Sequence, residues 1–287
     1  MIEQPLSDAD AWVLSLSTSK LPVLRRTAQA LYKLGEQTEV VNSRTLSAVI
    51  LQDPLMTLRV FSYLAEHRRN TQLTDVTTID RALMMIGIGP FFRDFDKLLL
   101  IEDHLMDYPK ALLGLLKVIT RSRRASHWAH DWAVHRHDLD VDEITLAALL
   151  HDVAEILMWC FAPTLALQVE TLKIRDPHLR SVSAQVDVYG ITLVELQRAL
   201  VHFWGLPELL TMLMDHSGAE NQRVKNVLLA VDLARHSANG WSDAAIPDDL
   251  QAIQTLLHIN KDMLPMKLGV DVECLASLIN PLSQPSS

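Results

Sequence analysis

Apolar positions recur along most of the chain with the 3.6-residue period of an amphipathic helix, and strict apolar/polar alternation is scarce. Leu21-Pro22 predicts a helix with proline in its first turn, closed by Gly35. Asn42-Ser43 caps a short helix carrying Leu46, Val49 and Ile50. Asp53-Pro54 adds a cap and a first-turn proline to a helix that buries Leu55, Leu58, Phe61 and Leu64. Thr78 caps a helix with Ile79, Ala82, Leu83 and Ile86 on one face, and Gly87 stops it. Pro109 starts a long run to about His135, followed by the polar turn His137-Asp138-Leu139-Asp140. Asp142 then caps an apolar helix through Ile144, Ala147, Ala148 and Leu150 to Trp159. Pro163, Pro177 and Gly190 punctuate further helices, and Thr192-x-x-Glu195 is a capping box. Gly205-Leu206-Pro207 breaks and restarts the pattern, and Trp204 before it is expected to be buried. Residues 223–238 form one more helix, and Pro247 and Asp271 begin the last two. The pattern predicts an all-α fold: a helical bundle lobe over 15–105, a second helical lobe over 106–280, and a tail over 281–287 with nothing to bury.

Composition narrows the function classes. Of the 287 residues 49% are apolar and 21% charged, enough for a buried core. The charge sum, 26 − 35 = −9, argues against nucleic-acid binding. Neither a GxGxxG nor a GxxxxGK[ST] run occurs, so dinucleotide and P-loop folds are disfavoured. Cys160 and Cys274 lie far apart in apolar surroundings and read as reduced, buried thiols. The N-terminus has no basic, apolar leader pattern. The longest apolar stretch, around Leu146 to Leu150, is interrupted by His151-Asp152, so no membrane span is expected. A cytoplasmic protein is the resulting expectation.

Most of the histidines are solitary. His67, His104, His178 and His258 read as surface or capping residues, and His127, His130, His135 and His137 as a polar helix face, with His127 and His130 at i, i+3 spaced to bind a transition metal as the other reading. The pair His151-Asp152 differs, because it follows Ala147-Ala148-Leu149-Leu150 and falls at depth in an apolar helix. Burying such a pair is costly without a counter-charge, hydrogen bond or metal. A metal site, a polar network and a structural dyad joining helices all stand as readings. Asp232, inside Leu228-Leu229-Ala230-Val231-Asp232-Leu233-Ala234, is a second acid in an apolar helix. His216 ends the helix that starts at Pro207, where the helix dipole favours an imidazolium cap.

These residues carry a family resemblance. Leu21-Pro22, the run Ile50-Leu51-Gln52-Asp53-Pro54-Leu55-Met56-Thr57-Leu58-Arg59-Val60 and Thr78-Ile79-Asp80-Arg81-Ala82-Leu83-Met84-Met85-Ile86-Gly87 resemble the first half of an HDOD domain, the "HD-related output domain". Leu149-Leu150-His151-Asp152, Phe203-Trp204-Gly205-Leu206-Pro207 and Ala230-Val231-Asp232-Leu233-Ala234 resemble its second half, in the same order. The resemblance covers roughly residues 15–245. It implies an HD-like lobe over 106–280 and a cytoplasmic role in bacterial signal transduction.

HD-superfamily phosphohydrolases hold a divalent metal through an early histidine, a His-Asp dyad and a late aspartate, and the metal activates a water. Carried over by position, the dyad is His151-Asp152 and the late aspartate Asp232. The early histidine position reads Arg121, before Ser122, in the best register, and a slipped register offers His127 or His130 instead; one later histidine position reads Leu193 and another falls at His216. A guanidinium has no lone pair for a metal. The expected site is therefore degenerate, without metal or other cofactor; if a divalent metal is bound, its ligands are His151, Asp152 and Asp232. Arg121 borders the stripe Ala125, Trp128 and Trp132, and is expected to stand in the metal's place as counter-charge to Asp152 and Asp232. The other placement is in solvent beside Arg124.

The resulting expectation is a non-catalytic output or scaffold module that contacts other signalling proteins, with no nucleic acid and no membrane, and with a homo-oligomer left open. The alternative is a metal-dependent HD-type phosphohydrolase acting on a nucleotide or cyclic dinucleotide.

Overall fold

In the computed structural model of the chain, residues 1–17, 20–36, 41–67, 76–176, 178–218 and 220–271 are described. Among them the fold is all-α, with no strand and a single isolated parallel β-bridge, Val23 to Leu100. The expected tail over 281–287, the helix expected from Asp271 and Cys274 lie outside the described residues.

The helices begin and end where local chemistry directs. After α1 (Ala9–Ser17), α2 (Arg25–Gly35) starts three residues later than Pro22 predicts. The reason is tertiary: Val23 is extended, donating to the Leu99 carbonyl at 2.8 Å and accepting from Ile101 N–H at 2.9 Å. Asn42 caps α3 (Ser43–Ile50) by accepting Thr45 N–H. Asp53 caps α4 (Pro54–His67) through the amides of Leu55 and Met56. Thr78 caps α5 (Ile79–Ile86), and Gly87, at φ 83°, ends it and leads into α6 (Ile88–Asp94). Short α7 (Ile101–His104) precedes α8 (Pro109–His135).

His137 takes the left-handed φ of 58° that turns the chain into α9 (Val141–Leu150). Asp140 occupies the N-cap, so Asp142 falls inside the first turn rather than capping it. The apolar run does not continue as one helix to Trp159: it breaks at His151-Asp152, and α10 (Val153–Phe161) follows. Then come α11 (Pro163–Arg175), α12 (Ser181–Tyr189) ended by left-handed Gly190, and α13 (Leu193–Phe203) with the Thr192–Glu195 capping box. Trp204 at its C-cap is 4% exposed. The remaining helices are α14 (Glu208–Leu213), α15 (Gln222–His236), α16 (Ile246–Leu257) and α17 (Leu264–Leu268).

By length and composition Val141–Phe161 is apolar enough to cross a membrane, which corrects the expectation that no stretch approaches a span. Burial of 78% of that window inside the protein accounts for its apolar character.

The chain folds into two units, each of two segments. One holds residues 1–120 and 152–211; the other holds 121–151 and the described residues from 212 on. The lobes expected from the sequence are consecutive, whereas these units interleave. In the first, α1 and α10 pack on α13, and Trp12 Nε1 donates to the Tyr189 carbonyl at 3.2 Å. In the second, α15 packs on α9 and α16, and Asn226 Nδ2 donates to the Ala129 carbonyl at 3.2 Å. Trp128, Trp132, Ile144, Val227 and Ile253 form part of its core.

Candidate functional site

The His-Asp pair occupies the break between α9 and α10. His151 keeps helical φ and ψ as the last cap of α9, whereas Asp152, at φ −101° and ψ 23°, turns the chain. Each is only 8% exposed, as the apolar flanks predict. Asp152 does not cap α10 with its side chain. Instead Gln197 reaches over from α13, and its Oε1 accepts Ala154 N–H at 2.8 Å. This amide occupies one of the first donors of α10, so part of that helix terminus is satisfied within the protein.

The other predicted positions are placed as follows. Arg121 is half-buried on α8, ahead of buried Ala125, Trp128 and Trp132. Ser126 Oγ donates to the Thr145 carbonyl at 3.0 Å, and His130 Nδ1 lies 3.1 Å from Thr145 Oγ1. These contacts join the second half of α8 to Thr145 on α9. Leu193 is half-buried at the first position of α13, and its N–H donates to Gln185 Oε1 at 3.0 Å.

Asp232 corrects its sequence reading. Its side chain is 38% exposed and lies 3.4 Å from Arg235 Nη1, one turn on. On α15 the buried positions are Val224, Asn226, Val227, Ala230, Val231, Leu233 and Ala234, and Asp232 falls on the flank of that face. His216 also differs. Helix α14 ends at Leu213, and His216 starts a separate 3₁₀ turn, His216–Gly218. Asp215 causes the break, accepting Ser217 N–H at 3.0 Å. The His216 side chain lies outside the described residues. Among the described residues no three His, Cys, Asp or Glu side chains are grouped so as to hold a metal ion.

Other polar groups were not apparent from sequence. His104 is half-buried rather than superficial: Nε2 lies 3.1 Å from the Cys160 carbonyl, and burial lowers its pKa. His236 Nδ1 and Asp249 Oδ2 lie 2.6 Å apart, joining the end of α15 to the first turns of α16. Burial pushes the Asp249 carboxyl up, and His236 pulls it back. The only signal for this pair in the sequence is a histidine at one helix end and an acid near the start of the next, a pattern too common to single out. Arg124 lies over the Trp128 ring at 4.9 Å and near the Trp241 ring at 5.8 Å.

A search of curated proteins finds no match. Among solved structures, the chain is similar to the MmoQ response regulator from Methylococcus capsulatus str. Bath, with a TM-score of 0.61, 18% identity, and coverage of 84% of this chain and 98% of that one. It is also similar to a virulence factor from Campylobacter jejuni subsp. jejuni, with a TM-score of 0.63, 17% identity, and coverage of 95% and 96%. At these identities the likeness establishes a shared fold. The HDOD domain family model matches residues 21–219. With the QDP-type cap at Asp53, the buried His151-Asp152 break and the Trp204-Gly205-Leu206-Pro207 turn all inside that match, the chain belongs to the HDOD domain family.

Proposed function

We propose that this HDOD protein is a non-catalytic, cytoplasmic module of bacterial signal transduction that works by contacting other signalling proteins, with a degenerate site of the HD superfamily. The donor chemistry at the site positions carries this reading. The position of the first ligand is the half-buried guanidinium of Arg121, and a later ligand position is the aliphatic Leu193. Asp232 is partly exposed and engaged with Arg235. A guanidinium and an isobutyl group donate no lone pair, so these residues do not fit a divalent metal held in the superfamily's manner. In this reading Arg121 supplies fixed positive charge where the superfamily uses a cation, and His151-Asp152 serves as a buried structural dyad. The response-regulator label of one structural neighbour accords with a signalling role.

The test is direct. Protein purified with and without chelator washing should carry no stoichiometric metal. With Mn²⁺, Mg²⁺ or Fe²⁺ it should not hydrolyse nucleotides or cyclic dinucleotides. Turnover that disappears in His151→Ala or Asp152→Ala would replace this reading with that of an HD-type phosphohydrolase.

A further inference from the structure

In the first unit, the segment before α7 is extended, and its two edges differ. On one edge, Leu99 and Ile101 point their main-chain groups at Val23, which bonds both. Arg59 continues that edge, donating from Nη1 to the Leu21 carbonyl at 3.1 Å and from Nη2 towards the Lys97 carbonyl at 3.5 Å. In an extended chain, alternate residues direct their N–H and C=O groups to opposite edges. The Leu98 N–H, the Leu98 C=O and the Leu100 N–H therefore face away from Val23. Among the described residues these three groups have no main-chain partner.

A groove of about 920 Å³ lies over one face of this segment, and its lining follows the two-residue period: it includes Leu98 and Leu100 but not Leu99. From α2 the lining includes Ala28, Leu31 and the largely exposed Tyr32, with the charged Arg25 and Lys33 beside them. Phe92 and Phe95 close its floor. Gly35 permits the close fit of that floor, since a Cβ there would stand 3.2 Å from the Phe92 ring.

An apolar groove alone takes many occupants. Main-chain donors and an acceptor of Leu98 and Leu100 that have no main-chain partner among the described residues select for one kind, because they are satisfied by another backbone in extended form. We propose that the Leu98–Leu100 edge is a docking site for an extended segment of a partner protein, which adds as a strand and places alternate apolar side chains in the groove. Main-chain bonds to Leu98 and Leu100 supply register, and the pockets between Leu98, Leu100, Tyr32 and Phe92 supply selectivity. The partner is thus read through a short apolar strand rather than an amphipathic helix. The inference rests on the proposed protein-contact role only in taking the occupant to be a protein. Its test involves neither metal nor hydrolysis, so the two can fail separately.

The probe is an array of acetylated eight-residue peptides with Val, Ile, Leu or Phe at alternate positions and Thr or Lys between, measured by fluorescence anisotropy against the full chain. Hydrogen exchange should slow in the segment containing Leu98 and Leu100 when the best peptide binds. N-methylation of the peptide amide that donates to Leu98 should weaken binding about five- to ten-fold, the loss of one hydrogen bond. Tyr32→Ala, at an exposed position, should weaken it with the fold intact by circular dichroism. Equal binding of the N-methylated peptide, tighter binding of a helix-stapled apolar peptide, protection elsewhere, or no binding across the array would each overturn the proposal.

Discussion

The Asp53 carboxylate accepts the backbone N–H of Leu24, 29 residues earlier in the chain, at 2.8 Å. Its other oxygen caps α4 through Leu55 at 3.0 Å and Met56 at 3.3 Å. One fully buried side chain thereby ties the entry of α2 to the start of α4. Asp53→Ala leaves three buried donors unsatisfied and should cost roughly 3–5 kcal/mol, measured by chemical denaturation. Burial raises the Asp53 pKa, and the bonds from the Leu24, Met56 and Leu55 amides, with the Thr27 hydroxyl nearby, oppose that rise. A carboxyl with a raised folded pKa keeps its proton in the folded state after the unfolded chain has lost it. Its contribution to stability is therefore greatest below the ordinary carboxylate range and is lost as pH rises through the folded value. In Asp53→Asn that loss with rising pH should vanish. A denaturation midpoint with the parent's pH dependence above the carboxylate range would contradict this assignment.

Gly114 and Trp159 set a second test. A Cβ at Gly114, on α8, would stand 2.7 Å from two atoms of the Trp159 ring, which is itself buried. Gly114→Ala should therefore destabilise by about 1–3 kcal/mol through overpacking, although alanine is the better helix former. Gly89, on α6, has nothing within 4 Å of an added Cβ. Gly89→Ala should be neutral or stabilising by up to about 1 kcal/mol. Two glycines in helices are thus expected to respond with opposite signs, and thermal denaturation of both variants decides it.

These contrasts locate what the sequence carries. The capping residues Asn42, Asp53, Thr78 and Thr192 all act where they were read, because a cap depends on neighbours within one turn. The start of α2 was misread because Val23 is held by Leu99 and Ile101, far along the chain. The buried His151-Asp152 pair was legible from its apolar flanks, but the helix break there was not. Asp232 misled for a related reason: leucines on both sides hide that it stands on the flank of the buried face. Gln197 at the start of α10 and His104 on the Cys160 carbonyl are tertiary contacts with no local signature.

Arg124 offers a third prediction. Its guanidinium lies against both the Trp128 ring, at 4.9 Å, and the Trp241 ring, at 5.8 Å, and the two rings themselves meet at 6.4 Å, joining α8 to the segment after α15. Burial makes the charged form harder to hold and lowers its pKa. The two ring faces compensate that cost in part, and a planar guanidinium stacks on them as an ammonium does not. Arg124→Lys should destabilise by about 0.5–1 kcal/mol, and Arg124→Ala by somewhat more, since the side-chain stem is lost too. Trp241 is only half-buried, so its fluorescence should shift towards that of a solvated indole in both variants. Unchanged emission would show that the rings keep their packing without the cation.

His104 sets a pH dependence of opposite sense to that of Asp53. Burial is the largest influence on it and favours the neutral ring; the hydrogen bond to the Cys160 carbonyl pulls the other way. The neutral ring can still donate to that carbonyl through Nε2, and it packs edge-on against Phe161 at 5.2 Å. With the folded pKa depressed, the unfolded chain takes up a proton first as pH falls. His104 therefore contributes its full stability above the ordinary histidine pKa of about 6.5, and that contribution is lost as pH falls through the lower folded value. The ring is partly exposed, so solvent screens the effect, and the slope is the quantity to compare rather than an energy. Denaturation midpoints of the parent should fall between pH 7 and pH 5. In His104→Gln, which keeps a donor for the Cys160 carbonyl, the fall should be shallower. A steeper fall in the variant, or equal slopes, would mean that another histidine governs this range.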